Sequence, residues 1–273
     1  MRQRKLTDAS YLRHEYYNDP GAFDSRVVLQ ERFSTNKRGW HPWVFDHLDV
    51  GRMKRVLEVG AGPGYLWRRN VSRLPATDII VSDLSEAMVR EAQQALAVAC
   101  PRLRFAVLDV QHTPFRSGIF DLVVANHMLY HARDLMKAFW ELARVLKPGG
   151  KLVATTTGPG HLRELRELIL DFKAGAHRSG PSVETHFNEL GFNLQNGERL
   201  LSAHFCGVTL KRYPDSLVVN EAPPLVSWVR SLLTRPIPDH ELADFGEFLE
   251  AKLAAEGPIY VTKEIGLFLA DRC

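Results

Sequence analysis

Cysteine is scarce: the 273 residues hold three, and Cys100, Cys206 and Cys273 lie dozens of positions apart. That spacing suits neither a disulfide framework nor a clustered metal site, so free thiols in a reducing, cytoplasmic setting are expected. Long apolar runs are missing too. No window approaches the roughly 18 residues of a membrane span, and the basic start Met1-Arg2-Gln3-Arg4-Lys5 leads into polar residues, so no membrane partner is expected. Charge of one sign is also lacking: 35 Lys plus Arg against 32 Asp plus Glu leave +3, which gives no strong nucleic-acid signal. No internal repeat or low-complexity tract occurs. With 45% hydrophobic and 25% charged residues the chain has the composition of a folded globular protein. Its length favours one enlarged domain over two equal halves, and its oligomeric state is left open.

From residue 54 to 157, short β-branched runs alternate with longer segments of helical period, the pattern of a parallel sheet covered by helices. Strands are expected at Arg55 to Val59, Ile79 to Ser82, Leu103 to Leu108, Asp121 to Ala125 and Lys151 to Thr156. Runs such as Ile79-Ile80-Val81 suit strands buried on both faces. Ser85 can cap a helix through Ala99, and Leu135, Phe139, Leu142 and Leu146 form one apolar stripe from Asp134 to Leu146. Lys147-Pro148-Gly149-Gly150 then stops the helix, since Pro cannot continue it and Gly accepts a left-handed turn. Beyond Thr157 the alternation breaks. A helix from His161 to Phe172, a polar stretch from Gly175 to Thr185 that reads as a lid, and a strand at Val208 to Tyr213 are expected. Helical segments at Pro224 to Leu233 and Asp239 to Ala255, with a final strand at Ile259 to Ala270, complete the chain.

The most informative segment is Val56-Leu57-Glu58-Val59-Gly60-Ala61-Gly62-Pro63-Gly64, a buried strand running into three glycines on alternate positions. Glycines let the backbone turn sharply and approach a ligand at the carboxyl end of a strand, which points to a nucleoside-bearing cofactor. The dinucleotide fingerprint Gly-x-Gly-x-x-Gly has a longer last gap, and Pro63 removes an N–H that a pyrophosphate would use. A ligand without phosphates is therefore favoured. Asp83, 19 residues beyond Gly64 and followed by Leu84, can accept ribose hydroxyls, although it can also serve as an acid near the helix start at Ser85. Asp109 and Val110 stand where an adenine amino group and ring face would lie, or as a loop acid beside a core valine.

In order along the chain, these segments resemble the class I S-adenosylmethionine-dependent methyltransferases, particularly the ubiquinone/menaquinone-biosynthesis-like (type 11) branch. The resemblance runs from Glu58 to Gly64 through Asp83, Leu108 to Phe115, Phe120 to Asn126 and Leu146 to Gly150. It implies a Rossmann-like α/β fold, with a seven-stranded, mostly parallel sheet whose last strand, assigned to Ile259 to Ala270, is antiparallel. It implies S-adenosyl-L-methionine as cofactor and S-adenosyl-L-homocysteine as product. Glu58, Gly60, Ala61, Gly62 and Gly64 would flank the methionine part, Asp83 and Leu84 the ribose, and Asp109 and Val110 the adenine. Ala125 and Asn126 would lie beside the sulfonium. Residues 1–53 would form an N-terminal cap, 54–157 the cofactor core, 158–257 a lid with insertions, and 258–273 the final strand.

Transfer from a sulfonium needs a nucleophile held at near-attack distance more than covalent help. His127 and His131, just after the fourth strand, are candidate bases for a hydroxyl or ammonium acceptor, or simply pack a helix entry. Tyr16, Tyr17, Phe33, Trp40, His41 and Trp43 could cap the cleft over a small organic acceptor, with His161 and His186 in the lid. Arg26 and Arg32 could bind a carboxylate, or lie solvated on the surface. Ala125-Asn126-His127-Met128 departs from the Asn/Asp-Pro-Pro-Tyr/Phe sequence of adenine- and glutamine-directed enzymes. No Pro-Cys setting or acidic cluster favours covalent or metal catalysis. Rival readings are methylation of RNA or protein, with basic pairs such as Lys37-Arg38, Lys54-Arg55 and Arg68-Arg69, an NAD-dependent oxidoreductase, or a nucleoside-binding protein without catalysis.

Overall fold

Five apolar runs become β1 (Arg55–Val59), β2 (Asp78–Asp83), β3 (Leu103–Val107), β4 (Phe120–Asn126) and β5 (Leu146–Thr157) in the computed structural model. The structure describes residues 6–17, 20–176, 191–232 and 238–273. Two later strands, β6 (Cys206–Arg212) and β9 (Ile265–Asp271), complete a seven-stranded sheet of order β3-β2-β1-β4-β5-β9-β6. β9 runs antiparallel to both β5 and β6. Alternate residues feed opposite cores, as a strand's period of two requires. Leu57, Val59, Val123 and Ala125 join Phe139 and Leu142, whereas Val56, Leu122 and Val124 join Trp67 and Leu96. Each fully buried Phe or Leu contributes roughly 1.5–3 kcal/mol.

The helix boundaries follow their caps. Ser85 Oγ accepts the Met88 N–H at the start of Glu86–Leu96, and Asp134 accepts the Lys137 N–H at the start of Leu135–Val145. Gly149, at φ +71°, makes the left-handed turn into the body of β5. Glu141 reaches from the second helix to Thr113 and Arg144. Burial opposes its ionisation, yet those bonds outweigh it and hold its carboxyl at about 2, so the loop after β3 is pinned.

A second core stands beside the sheet. Helices Pro20–Arg32, Arg163–Ala176, Ala222–Leu232 and Asp239–Glu256 pack with a small antiparallel sheet of β7 (Ser216–Val219) and β8 (Ile259–Thr262). Leu29, Leu165, Phe172, Trp228, Phe245 and Val261 fill it. The N-terminal and later segments thus share one core.

Three expectations are corrected. Ile259 to Ala270 is two strands, because the chain leaves one sheet for the other at Lys263-Glu264. Cys206 and Cys273 are joined by a disulfide with Cα atoms 5.6 Å apart, and only Cys100 is a free thiol. The antiparallel pairing of β6 with β9 brings two distant cysteines together, which sequence spacing could not reveal. His161 belongs to a buried turn after β5, not to the following helix, and is 2% exposed. The stretch expected as a lid, with His186, lies largely outside the described residues. No helix among those described is long and apolar enough to cross a membrane.

Candidate active site

β1 and β4 are parallel neighbours at which the winding of the sheet reverses, with β2 and β3 on one side and β4 and β5 on the other, and at such a point the loops leaving neighbouring strands separate into a crevice. A cavity of about 1310 Å3 opens there, between the carboxyl ends of the strands and the second core. Gly60, Ala61 and Gly62 line it, with positive φ at Gly60 (+64°), Gly62 (+56°) and Gly64 (+79°). The three glycines have different work. A Cβ on Gly60 would meet that of Met128 at 2.5 Å, and one on Gly64 would meet Leu96 Cδ1 at 2.9 Å. Gly64 therefore lets the loop pack on the neighbouring helix, while Gly62 faces the cavity.

Asp83 is tied into this loop. One carboxylate oxygen accepts the Gly62 N–H and the other the Ser85 N–H, both at 2.8 Å. Burial pushes its carboxyl above the usual range, against the pull of those amides. Its role near the helix start and its position on the cavity wall coexist. Leu84, Asp109, Val110 and Asn126 also line the cavity. Asp109 Oδ1 accepts the Gln111 N–H at 2.8 Å, and Asn126 Oδ1 accepts the Thr155 hydroxyl at 2.6 Å.

Glu58 and Ala125 lie behind the wall. Ala125 belongs to the core of the sheet. Glu58 is 1% exposed, its Oε2 accepts the Trp67 indole N–H, and burial pushes its carboxyl up to about 8, with the nearby Asp83 adding to the rise. Its Oε1 has no hydrogen-bond partner among the described residues. A protonated, neutral Glu58 follows at pH 7.

The two histidines after β4 are arranged differently. His131 Nδ1 lies 2.8 Å from the Leu6 carbonyl and Nε2 lies 2.9 Å from the Tyr17 hydroxyl. A carbonyl can only accept, so Nδ1 carries the proton and Nε2 accepts from Tyr17. Burial lowers this histidine to about 4. Ser85 Oγ donates to the Tyr17 carbonyl, which fixes residues 6–17 across the mouth of the crevice. Tyr16 ends the π-helix Leu12–Tyr16, and its side chain lies outside the described residues.

His127 takes a left-handed backbone, φ +52°, rare for a residue with a side chain. Its amide donates to Thr155 Oγ1, and its ring packs on Trp40 with centroids 5.1 Å apart. Burial, aided by His41 and Lys263, lowers it to about 3, so it is neutral at pH 7. His161 accepts the Glu264 N–H on Nδ1 at 3.3 Å and titrates well below its usual range because it is buried.

Sequence reasoning missed Lys263, which lines the same cavity and pairs with Asp215 at 2.7 Å. It also missed Glu31, which bonds Arg69. No motif marks either pair, since both form across the fold. Arg26 reaches the Ser231 carbonyl and lines the cavity, whereas Arg32 pairs with Glu221 at the surface. Of the basic pairs, Arg38 bonds Asp46 and Arg69 bonds Glu31, which balances their charge. Among the described residues no group of three His, Cys, Asp or Glu side chains is placed to hold a metal ion.

The sheet order, the glycine turn and the crevice above them define a class I methyltransferase fold. Residues 56–150 match the family model described as a methyltransferase domain, and the chain is similar to class I methyltransferases of the type 11/25 branch. It is 31% identical over 188 residues to a malonyl-[acyl-carrier protein] O-methyltransferase of Legionella pneumophila, covering 67% of this chain and 62% of that protein. To the protein of the same name from Halorhodospira halophila it is 36% identical over 188 residues, covering 67% and 60%. The chain spans between 45% and 62% of the length of the first curated relatives it matches. A phosphoethanolamine N-methyltransferase 2 from Haemonchus contortus, solved with S-adenosyl-L-methionine, aligns with a TM-score of 0.55 at 19% identity, over all of this chain and 60% of that one. The [4+2]-cyclase SpnF aligns with a TM-score of 0.55 at 18% identity, over 99% and 93%. Both likenesses concern the fold.

Proposed function

We propose that the protein transfers a methyl group from S-adenosyl-L-methionine to a small organic acceptor enclosed between the sheet and the second core. The observation that carries this reading is the convergence of Gly62, Asp83, Asp109, Val110 and Asn126 on one cavity. The residues present fit the nucleoside part of that donor. Asp83 is a partly buried carboxylate whose oxygens each accept one backbone N–H, so lone pairs remain for two ribose hydroxyls. Asp109 offers an acceptor for an adenine amino group, and Val110 and Leu108 offer an apolar face. S-Adenosyl-L-methionine supplies a methyl group already activated on a sulfonium, and its chemistry leaves S-adenosyl-L-homocysteine.

The chain's own contribution is placement and exclusion of water. His131 and Tyr17 act as a latch that holds residues 6–17 over the crevice; both ring nitrogens of His131 are engaged, which leaves it no role as a base. His127 stands at the carboxyl end of β4, neutral, and is the better placed of the two to accept a proton or hydrogen-bond the acceptor. A histidine held at about 3 is a weak base at pH 7, so an acceptor that ionises by itself suits the site best.

A nicotinamide cofactor is disfavoured by the short glycine spacing and Pro63, and an RNA or protein acceptor by a cavity roofed with cap side chains. Calorimetric titration with S-adenosylmethionine, S-adenosylhomocysteine and NADH in parallel tests the reading. Binding of both sulfur nucleosides is expected, and binding of NADH alone would overturn it.

A further inference from the structure

The ribbon β6–β9 continues into the ribbon β7–β8, and the two chain crossings between sheets lie side by side. One is Tyr213-Pro214-Asp215 and the other Lys263-Glu264. Asp215 and Lys263 close this junction with a buried ion pair, their side chains 0% and 2% exposed. Asp215 is heavily subscribed: it also accepts from Ser34 Oγ, Thr35 Oγ1 and the backbone N–H groups of Asn36 and Ser216. Its negative charge is thus spread over four further donors. Lys263 has Asp215 as its one hydrogen-bond or ion-pair partner among the described residues, with its ammonium 5.7 Å from the Tyr213 ring centre. An ammonium has three donors, so two remain.

Those donors belong to a residue that lines the cavity. The ammonium's field reaches across it, because Lys263 contributes to lowering His41, His127 and His161 alike. Thr157, at the end of β5, pairs in register with Ile265, two positions from Lys263, and also lines the cavity. Its buried hydroxyl has no partner among the described residues. An unpaired buried hydroxyl and an under-used ammonium, both on residues that line one cavity, suit a hydrogen-bonding anion. Trp40, packed on His127 and Tyr213, supplies a flat apolar wall alongside.

We propose that Lys263, braced by Asp215 and assisted by Thr157, is the anion anchor of the acceptor subsite, and that the acceptor is an organic acid whose carboxylate this ammonium holds. This rests on the methyltransferase reading above. It reaches further, since it assigns the acceptor's charge and the residue that selects for it. Malonyl-[acyl-carrier protein], named for relatives of this chain, is one acid among many with that chemistry.

The test uses the whole protein saturated with S-adenosylhomocysteine and pairs of probes of similar shape, one an anion and the other neutral: benzoate against benzamide, cinnamate against cinnamamide, and the malonyl thioester of N-acetylcysteamine against its methyl ester. At least one acid should bind tenfold or more tightly than its neutral partner. Lys263→Met should abolish that preference, with nucleoside affinity retained, and Lys263→Arg should restore most of it. A residue that only braces the junction would lower the melting temperature on substitution without changing the ratio of acid to neutral affinity. Should Lys263→Met not fold, the unmodified protein and Lys263→Arg decide: equal binding of acids and neutral partners throughout overturns the proposal. Failure of S-adenosylhomocysteine itself to bind would instead overturn the methyltransferase reading.

Discussion

The two walls of the cavity are built in different ways. The cofactor wall comes from one continuous stretch, from β1 to the end of β4, in which each strand end leads at once into a residue that lines the crevice. The opposite wall is gathered from Tyr17, Trp40, His161 and Lys263, and its pivot, Asp215, bonds Ser34 across 181 positions. A wall made of local turns can be inherited as a unit, whereas one made of long-range pairs depends on the cap that surrounds it. The SpnF likeness underlines the point, since a protein named for a cyclisation shares this fold.

The largest effect is expected at Asp215. Asp215→Ala leaves Lys263 buried without its counter-charge, which costs roughly 3–5 kcal/mol. A large drop in melting temperature is expected in differential scanning calorimetry, with nucleoside binding kept below the transition. Asp83→Ala is the reverse experiment. Loss of a charged hydrogen-bond acceptor of about 1.5–3 kcal/mol should weaken S-adenosylhomocysteine roughly 10- to 100-fold by calorimetry, with a smaller loss of stability.

Glu58 sharpens the contrast through pH. Its carboxyl rises from 4.5 to about 8 in the folded protein, so between those values the native state holds a proton that the unfolded chain has lost. Its contribution to stability is complete below pH 4.5 and is lost as pH rises towards 8, by at most about 1.4 kcal/mol per unit. Glu58→Gln should flatten that decline in denaturant titrations from pH 5 to 8. The smallest effect is expected at the latch. Tyr17→Phe removes one hydrogen bond to neutral His131, about 1 kcal/mol, and should slow methyl transfer about fivefold with nucleoside affinity little changed.

Legibility followed the same division. The glycine loop, Asp83, Asp109 and the ends of β1 to β5 could be read because spacing along the chain fixes spacing in a βα repeat. Tyr17 and His131 were each singled out in the sequence, but their mutual bond was not, as 114 positions separate them. Lys263 could not be found, because Ile259 to Ala270 reads as one apolar strand until the second sheet is known. The Cys206–Cys273 bond was hidden for the same reason: antiparallel pairing across β6 and β9 creates it. His161 is expected in a lid facing the acceptor; it lines the cavity, but from a buried turn next to Leu162, φ +55°, that the sequence reads as the start of a helix.

The most direct test of the central claim is a crystal structure of the complex with S-adenosylhomocysteine. The account predicts the ribose hydroxyls on Asp83, the adenine beside Asp109 and Val110, and the sulfur facing His127 and the cap. A nucleoside bound away from the glycine loop, or with its ribose turned from Asp83, would contradict it.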